Sequence, residues 1–522
     1  LNLSHQIKAR MVSYSPFIEA PAVSKCMHVS MQSPHIRPIL WPEEDKTAND
    51  QGKFMSTNAD QSQILSRLQS IVGDDKVKTD ADSLETFGKD WTKIYAPKPL
   101  AITFPSSTEE VADIIKAANE LNFAIVPSGG RTGLSAGAVA ANGEVVVAMD
   151  RMNKLTDFNL TDRTVHCGAG VITEQLQNYA EEQGLYYPVD FASAGSSQIG
   201  GNIGTNAGGI KVIKYGMTRD WVAGLTVVTG KGDILELNKD LVKNNTGYDM
   251  RQMFIGAEGT LGIVTEATMR LTRTPKNLNV LVLGMPELDA IMNVLHAYQG
   301  KMDLTAFEFF SHKAMTKVIA RGDVPAPFET EAEYYALIEF EALSDADMDI
   351  AMELFEHCME EGWVIDGVIS QSETQAKNLW RLREDISETI AEWTPYKNDI
   401  SVVVSKVPPF LKEIDEVVTK EYPDFEIIWF GHIGDGNLHL NILKPDGLAK
   451  EEFFEKCAKV STWVFEIVEK YQGSVSAEHG VGMTKKPYLE YTRSAVEIDY
   501  MRAMKAVFDP KNLMNPGKVI DL

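Results

Sequence analysis

The spacing of apolar residues predicts helices that alternate with strands along the first half of the chain. Apolar positions recur at helical spacing over residues 109–121 and 173–183. Short apolar runs typical of strands cover residues 123–126, 144–149, 164–167, 225–228 and 263–271. This order of elements is typical of the start of an α/β domain, and we expect the first domain to cover residues 55–275.

After Pro275 the pattern changes to a regular alternation of strands and helices. We expect strands at 279–283 and 334–340 and helices at 288–298 and 346–361. The change predicts a second domain over residues 276–490, either α+β or α/β, followed by a helical segment at 491–522. The chain of 522 residues is also longer than one hydrophobic core usually supports.

Two glycine-rich runs interrupt the first domain. One reads PSGGRTGLSAG over residues 127–137, and the other reads SAGSSQIGGNIGTNAGG over residues 193–209. The second run has too few side chains to predict a helix or a buried strand, so we expect a loop. Glycine lets a ligand approach the backbone, and successive amide N–H groups can hold a pyrophosphate. No complete GxGxxG occurs in the sequence, so the usual Rossmann signature is missing.

Residues 427–443 have the pattern of a β-hairpin with two histidines. If residues 434–437 form a four-residue turn, His432 faces His439 across the hairpin, and Asn441 points to the same face. Opposed imidazoles at that spacing can share one divalent metal, but they can also be half-buried strand residues with hydrogen-bonded rings. Glu478 and His479 in SVSAEHGVG offer a third ligand and a neighbouring base, although such a pair is more often exposed.

Composition and charge narrow the function classes. The formal net charge of −24 argues against a nucleic-acid partner. An anionic substrate would therefore need its own cluster of Arg, Lys or metal. Four dispersed cysteines predict neither a disulfide framework nor a cysteine-based zinc site, which favours a reducing compartment. No apolar stretch is long enough to predict a transmembrane segment.

Residues 1–54 do not match the rest of the chain. They mix His, Met, Pro and Ser without a period, and Met55 is followed by a helix-like segment. We expect residues 1–54 to be a disordered or untranslated extension, with translation starting at Met55. The competing interpretation is an organelle transit peptide, of which only the first part is poor in acidic residues.

Six motifs together resemble the FAD-linked dehydrogenases of D-2-hydroxy acids, within the vanillyl-alcohol-oxidase-like flavoproteins. They stand in the family's order between about Leu65 and Lys518: PSGGRTGLS, IGGNIGTNAGG, NTGYDMRQMFIGAEGTLGIVT, GHIGDGNLHLN, SVSAEHGVG and NPGK. The resemblance implies an α+β fold. It consists of an FAD-binding domain of two subdomains, an α+β substrate or cap domain that carries a metal site, and a C-terminal helical segment that packs back on the FAD domain. The members that oxidise D-2-hydroxyglutarate are the most similar.

The resemblance also implies which residues hold FAD. They are Pro127, Gly129, Gly130, Arg131, Thr132, Gly133 and Ser135 in the first run, Pro188, Gly200, Gly201, Thr205, Asn206 and Gly209 near the second, and Gly259, Ile263 and Asn515 further along. Family members that bind FAD covalently use a His or Cys in such loops. Thr132 and Leu134 stand there in this chain, so we expect FAD to be bound without a covalent link.

For the reaction, the resemblance implies that His432, His439 and Glu478 bind zinc or another divalent metal and that His479 is the catalytic base. It implies that Arg383, Ser387, Lys397 and Asn441 bind the substrate. Arg383 and Ser387 are four residues apart and therefore share a helix face. Arg383 could otherwise form a surface ion pair with Glu384, Asp385 or Glu388.

The expected reaction is zinc-assisted oxidation of a D-2-hydroxy acid, favouring D-2-hydroxyglutarate, to the 2-oxo acid. His479 removes the hydroxyl proton and hydride passes to flavin N5. Alternatives are a D-lactate or glycolate dehydrogenase and a non-catalytic flavin-binding subunit. The expected electron acceptor is a soluble carrier such as electron-transfer flavoprotein, or a quinone. The resemblance is consistent with a homodimer in the cytoplasm, peripheral to the inner membrane, or in the mitochondrial matrix of a eukaryote.

Overall fold

A computed structural model describes residues 60–92 and 94–522 of the protein. The predictions for residues 1–54, including a start at Met55, lie outside the described residues. Residues 60–275 contain two main sheets. The strands of the first sheet are β1 (Val77–Lys78), β2 (Ala101–Thr103), β3 (Ile125–Ser128) and β4 (Val145–Ala148). Their order is β1-β2-β4-β3, and β2, β3 and β4 run parallel.

The second sheet is antiparallel and its strands run in the order β5-β6-β10-β8-β9. They are β5 (Leu155–Asn159), β6 (Thr164–Gly168), β8 (Val222–Thr229), β9 (Ile234–Leu237) and β10 (Gly262–Arg270), while β7 (Leu185–Tyr186) pairs separately with β11 (Thr272–Arg273). The strands predicted here from apolar runs therefore exist, with ends that differ by a few residues. The helices of this part are α1 (Gln61–Val72), α2 (Ala81–Phe87), α3 (Thr108–Leu121), α4 (Thr173–Glu182), α5 (Ile199–Thr205), α6 (Val212–Tyr215), α7 (Thr218–Trp221) and α8 (Arg251–Phe254).

Helix α3 shows why the predicted helices form. The Ser107 hydroxyl accepts the backbone N–H of Glu110, which caps the first turn. Its apolar positions, including Val111, Ile114 and Ile115, are fully buried against the first sheet. The helix ends where Asn122 takes a left-handed conformation with φ of 56°.

The prediction that residues 193–209 contain no helix is wrong. Residues Ile199–Thr205 form the short helix α5. Its buried Ile199 and Ile203 anchor it in the core, and the Asn202 side chain donates to Thr173 Oγ1 at 2.6 Å. Glycine is needed here for packing, because a Cβ at Gly200 would lie 2.6 Å from the Ala169 Cβ. Tertiary contacts therefore outweigh the weak helix preference of glycine.

Residues 278–443 contribute a seven-stranded antiparallel sheet in the order β15-β12-β14-β13-β17-β18-β16. Its strands are β12 (Leu278–Met285), β13 (Leu304–Ser311), β14 (Tyr334–Glu341), β15 (Asp366–Ile369), β16 (Tyr396–Ser401), β17 (Glu426–Gly431) and β18 (Asn437–Leu443). The helices that follow β12 in the chain are α9 (Leu288–Gln299), α10 (His312–Ala320), α11 (Asp345–Glu360), α12 (Glu373–Glu384), α13 (Ile386–Thr389), α14 (Val407–Glu421), α15 (Lys450–Lys470) and, in the C-terminal segment, α16 (Ala495–Phe508). Both predicted strands and both predicted helices are present here.

Helices cover the two faces of the seven-stranded sheet with separate apolar clusters. Along β13, Phe307 and Phe309 belong to the cluster under α9, α11, α14 and α15. Ala306 and Phe310 belong to the cluster under α10, α12 and α13. Because side chains alternate between faces along a strand, Glu308 points toward the second cluster.

The C-terminal segment returns to the first sheet. The backbone N–H of Ile125 donates to Leu513 O, and the N–H of Asn515 donates to Ile125 O. The buried Lys505 ammonium donates to Thr260 O at 2.8 Å. These contacts support the prediction that residues 491–522 pack on the FAD-binding part, while the exact domain boundaries stay predictions.

Candidate active site

A cavity of about 620 Å³ joins the glycine-rich runs of the first part to one face of the seven-stranded sheet. Most of the predicted cofactor residues line it: Pro127, Gly129, Gly130, Arg131, Thr132, Gly133, Ser135, Gly200, Gly201, Thr205, Gly209, Gly259 and Ile263. The predicted catalytic, metal-binding and substrate-binding residues line the same cavity: Arg383, Ser387, Lys397, His432, His439, Asn441, Glu478 and His479. The two groups of predicted residues therefore meet at one site.

Three predicted cofactor residues do not line the cavity. Pro188 is buried, and the Asn206 carboxamide oxygen accepts the N–H of Arg219. Asn515 donates to Gly137 O at 2.9 Å and Glu258 O at 2.7 Å, and its own side-chain oxygen is buried without a partner. The hydrogen bonds of Asn206 and Asn515 hold the loops around the cavity. Direct cofactor contact by the three residues stays a prediction.

The glycines of the cavity wall serve two different purposes. A Cβ at Gly130 would lie 2.2 Å from Ser196 O, so this glycine allows the two glycine-rich runs to touch. A Cβ at Gly201 or Gly204 would meet nothing within 4 Å. These two positions on α5 present bare backbone to the cavity, as a large ligand held by backbone groups requires. The cavity therefore fits FAD on the observation of its glycine-lined wall.

Arg131 is held by the protein itself. Its guanidinium forms a bidentate ion pair with Asp150 at 3.0 and 3.2 Å and donates to Gly129 O at 2.6 Å. It also lies over the ring of Phe87, 4.5 Å from the centroid. Arg131 thus fixes the first glycine run, in which its own φ is 61°.

Three strands of the seven-stranded sheet, β13, β16 and β18, present the polar side chains of the site to one sheet face. Asp399 of β16 pairs with His439 of β18, and Lys397 pairs with Asn441. Residues two apart along a strand point to the same side. Glu308 of β13 lies on this side too. One buried face of the sheet therefore carries the acidic, basic and amide groups together.

The predicted hairpin exists, but the predicted register is wrong. His439 pairs with Phe430, and β17 ends at Gly431, so His432 lies in a five-residue connection rather than opposite His439. The two imidazoles still approach each other, with ring centroids 5.4 Å apart. The predicted approach of the two imidazoles is therefore present, although the predicted pairing is not.

The three predicted metal ligands converge. Glu478 Oε2 lies 3.8 Å from His432 Nε2, and Glu478 Oε1 lies 3.8 Å from His439 Nε2. All three residues are largely buried, and two imidazoles with one carboxylate form a donor set typical of catalytic zinc. These residues therefore fit a divalent metal.

Burial and neighbouring charges set the protonation of these three residues. Burial opposes ionisation of Glu478, but hydrogen bonds with His432 and His479 hold its pKa well below the usual value. Burial lowers the pKa of His439 to about 3, so its ring is neutral and can donate a lone pair. Burial also opposes protonation of His432, but Glu308 and Glu478 together outweigh burial and raise its pKa to about 10. A metal bound there must displace a proton from His432.

Sequence reasoning missed Asp399. One of its oxygens accepts the backbone N–H groups of residues 477, 478 and 479 at 2.9–3.1 Å. The other accepts the Asn437 side-chain amide at 2.7 Å. Asp399 also belongs, with His439, Glu478 and His479, to a group whose ligand atoms lie within 4.8 Å of one another. Because hydrogen bonds already occupy both its oxygens, we assign it to holding the 477–479 backbone. The strand pairing that brings it here has no signal in the sequence.

His479 lies beside this carboxylate. Its Nδ1 is 3.6 Å from Asp399 Oδ2, and its ring stacks near His439 with centroids 5.9 Å apart. Burial lowers the affinity of His479 for a proton, but Asp399 and Glu478 together outweigh burial and raise the pKa of the ring. A ring of strengthened proton affinity at a cavity wall is suited to general-base chemistry.

Residues of the FAD-binding part fix the loop that carries His479. Ser135 Oγ donates to His479 O at 2.9 Å, and Ser135 O accepts the N–H of Met483 at 2.9 Å. Glu258 accepts the N–H groups of Val481 and Gly482 at 2.6 and 2.8 Å. A Cβ at Gly482 would lie 2.0 Å from Ser135 O, so only glycine fits this contact. Sequence reasoning missed Glu258 as well.

Arg383 is not on the surface, so the alternative of a surface ion pair with its neighbours in sequence is wrong. It is only 6% exposed, and its Nε lies 2.9 Å from Glu308 Oε2. Its guanidinium lies 4.7 Å from the centroid of Phe430. The Lys397 ammonium donates to Ser387 Oγ at 2.9 Å. All four predicted substrate residues, Arg383, Ser387, Lys397 and Asn441, therefore line the cavity.

Two family models match the chain. Residues 99–238 match the family model described as FAD binding domain, and residues 274–519 match the model described as FAD linked oxidases, C-terminal domain. A D-2-hydroxyglutarate dehydrogenase of Stutzerimonas stutzeri is 69% identical over 456 residues, which cover 87% of this chain and 98% of that protein. A D-2-hydroxyglutarate dehydrogenase of Xanthomonas citri pv. viticola is 54% identical, and the match covers 88% of this chain and 97% of that protein.

A solved structure supports the fold. The chain is similar to p-cresol methylhydroxylase with a TM-score of 0.68, 17% identity, and coverage of 88% of this chain and 97% of that one. The fold is that of the vanillyl-alcohol-oxidase-type flavoproteins, which confirms the predicted α+β class. The chain belongs to the FAD-linked dehydrogenases of 2-hydroxy acids, as its motifs predict. In the part of the chain that is described, no helix has the length and apolar character to cross a membrane.

Proposed function

We propose that the protein oxidises D-2-hydroxyglutarate to 2-oxoglutarate, with FAD bound non-covalently in the cavity. The two relatives described above carry the name of this activity. The match with this chain covers nearly the whole length of each relative. The single observation that carries the proposal is the convergence of His432, His439 and Glu478 beside His479 in a cavity walled by glycine.

FAD, when bound, would supply an acceptor for the hydride that leaves the substrate carbon. A divalent metal such as zinc, held by His432, His439 and Glu478, would supply Lewis acidity toward the substrate hydroxyl. The protein's own groups do the rest. His479 accepts the hydroxyl proton, and Asp399 at 3.6 Å stabilises the imidazolium that forms.

The substrate carboxylates need cations in a chain of strongly negative net charge. Arg383 lines the cavity and presents a guanidinium, which can bind a carboxylate in two places. Lys397 lies on the neighbouring edge of the site, where Ser387 orients its ammonium. A second cation suits a dicarboxylate such as 2-hydroxyglutarate better than lactate or glycolate, which have only one carboxylate.

The test is anaerobic reduction of the bound flavin by D-2-hydroxyglutarate, D-malate and D-lactate, with L-2-hydroxyglutarate as the stereochemical control. We expect D-2-hydroxyglutarate to bleach the flavin fastest and the L-enantiomer to leave it oxidised. Lys397→Ala should slow flavin reduction by D-2-hydroxyglutarate much more than flavin reduction by D-lactate. Faster bleaching by D-lactate would favour the D-lactate dehydrogenase alternative, and no bleaching by any acid would favour a non-catalytic subunit.

The electron acceptor and the cellular setting rest on the family resemblance. We propose a soluble carrier such as electron-transfer flavoprotein, or a quinone, as the acceptor. A homodimer in the cytoplasm, or in the mitochondrial matrix of a eukaryote, completes the proposal. Mixing the reduced protein with each acceptor and following flavin reoxidation distinguishes the two carriers.

A further inference from the structure

Glu308 is a buried carboxylate with no role in the reaction described so far. It lies in the middle of β13, and its side chain is 1% exposed. On the same sheet face its strand neighbours are Ala306 and Phe310, both members of an apolar cluster. Burying a charge among apolar groups is unfavourable unless partners compensate for the lost water. Its partners therefore explain why an acidic residue stands there.

The two oxygens of Glu308 contact two different functional groups. Glu308 Oε1 lies 2.9 Å from Nδ1 of His432, a proposed metal ligand. Glu308 Oε2 lies 2.9 Å from Nε of Arg383, a proposed substrate cation. Both partners are more than nine-tenths buried. One carboxylate thus joins the metal side of the site to its substrate side.

We propose that Glu308 is a positioning residue that sets metal affinity and substrate affinity at once; the inference rests on the function proposed above. Glu308 accepts a hydrogen bond from Nδ1 of His432, and this contact fixes the ring tautomer. Nε2, which lies 3.8 Å from Glu478 Oε2, is left free to bind a cation. On the other side, Glu308 Oε2 lies 2.9 Å from Nε of Arg383 without hydrogen-bond geometry, so the ion pair holds the guanidinium by charge and leaves its terminal nitrogens for a substrate carboxylate.

Glu308 is itself unsuited to be a ligand. Each of its oxygens already faces one cationic or hydrogen-bonding partner, so neither is available to a cation. The role is therefore indirect. It acts through His432 on the metal and through Arg383 on the substrate.

Glu308→Gln tests the inference, because the amide keeps the size of the side chain but can no longer serve both partners as an acceptor. We expect its zinc affinity, measured on the FAD-loaded protein by competition with a chelator, to fall about 10- to 100-fold. The affinity of the metal-free, FAD-loaded protein for 2-oxoglutarate, measured from the flavin absorbance change, should fall several-fold. Glu308→Asp keeps the charge but is one methylene too short to reach both partners, so it should also lower both the zinc affinity and the 2-oxoglutarate affinity.

Glu339→Gln is the matched control. Glu339 lies on the adjacent strand β14, is 4% exposed and pairs with Lys211 and with the indole N–H of Trp380 at 2.9 Å. Its loss removes a buried carboxylate from the same sheet without touching a proposed ligand. We expect a lower melting temperature but wild-type zinc and 2-oxoglutarate affinities.

The outcomes separate the two proposals. Wild-type zinc affinity in Glu308→Gln, or equal losses in Glu308→Gln and Glu339→Gln, would overturn the inference and leave the proposed function standing. A loss of only one of the two affinities would overturn the shared role. A wild-type protein that binds no divalent metal would overturn the metal part of the proposed function, and the inference with it.

Discussion

Substitution of single glycines can separate the packing of the cavity wall from cofactor binding. At Gly201 of α5 a Cβ would meet no protein atom within 4 Å, and the backbone φ is not positive. Gly201→Ala should therefore stabilise the apoprotein by about 0.4–1 kcal/mol, because alanine restricts the unfolded chain. The new methyl group projects into the cavity, so it should weaken FAD binding.

The expected loss of FAD affinity follows from the cost of inserting a methyl group into a filled site. Overpacking costs about 1–3 kcal/mol, which corresponds to a fall of roughly 5- to 150-fold in affinity. Gly204→Ala, one turn further along with equally open space, should behave in the same way. The assays are denaturant unfolding of the apoprotein and fluorescence titration of the apoprotein with FAD.

Gly130→Ala is the opposite case. Its Cβ would lie 2.2 Å from Ser196 O and 2.7 Å from the Ser197 Cα, so the two glycine-rich runs would have to separate. We expect the apoprotein to lose about 1–3 kcal/mol or more of unfolding free energy. Wild-type FAD affinity in Gly201→Ala would show that α5 does not face the cofactor. An apoprotein of unchanged stability in Gly130→Ala would refute the packing argument.

Two further predictions concern the loop of residues 478–482. His479→Ala should retain FAD and metal but lower the rate of flavin reduction about 10²- to 10⁴-fold, as loss of a general base does; a near-normal stopped-flow rate would reject the role. Burial raises the pKa of Glu258 to about 7, so between its unfolded pKa of about 4.3 and pH 7 the folded apoprotein binds more protons than the unfolded chain. Its stability should therefore fall as pH rises through this window, and Glu258→Gln should flatten that slope in unfolding measurements from pH 5 to 8; an unchanged slope would assign it to other groups.

The sequence predicts best where a pattern is local. The apolar runs of β6 and β10 and the helical spacing of α3 each show the burial that the structure has. The pattern fails where a contact from another element decides. Helix α5 forms because Ile199 and Ile203 are anchored in the core and because glycine lets the helix approach Ala169. No local signal in residues 193–209 contains that neighbour.

The site shows the same division. His432, His439, Glu478 and His479 stand in motifs and could be predicted by resemblance. Glu308 and Asp399 are single acidic residues within strands, and their meaning depends on strand register. The register assumed for the hairpin was wrong, and even the correct one would not have shown that β13 lies beside β17. The positioning roles of Glu308 and Asp399 therefore could not be predicted without the order of the strands in the sheet.

The position of His479 depends on both parts of the chain. Asp399 of the seven-stranded sheet holds the backbone of residues 477–479, while Ser135 and Glu258 of the FAD-binding part hold residues 479–483. Ser135 lies in the same glycine-rich run as Gly129 and Gly133, which line the cofactor cavity. A shift of that run would therefore move the proposed base as well as the cofactor wall. Fixing both with one loop keeps the base and the cofactor in register, which a reaction that takes a proton and a hydride from one substrate requires.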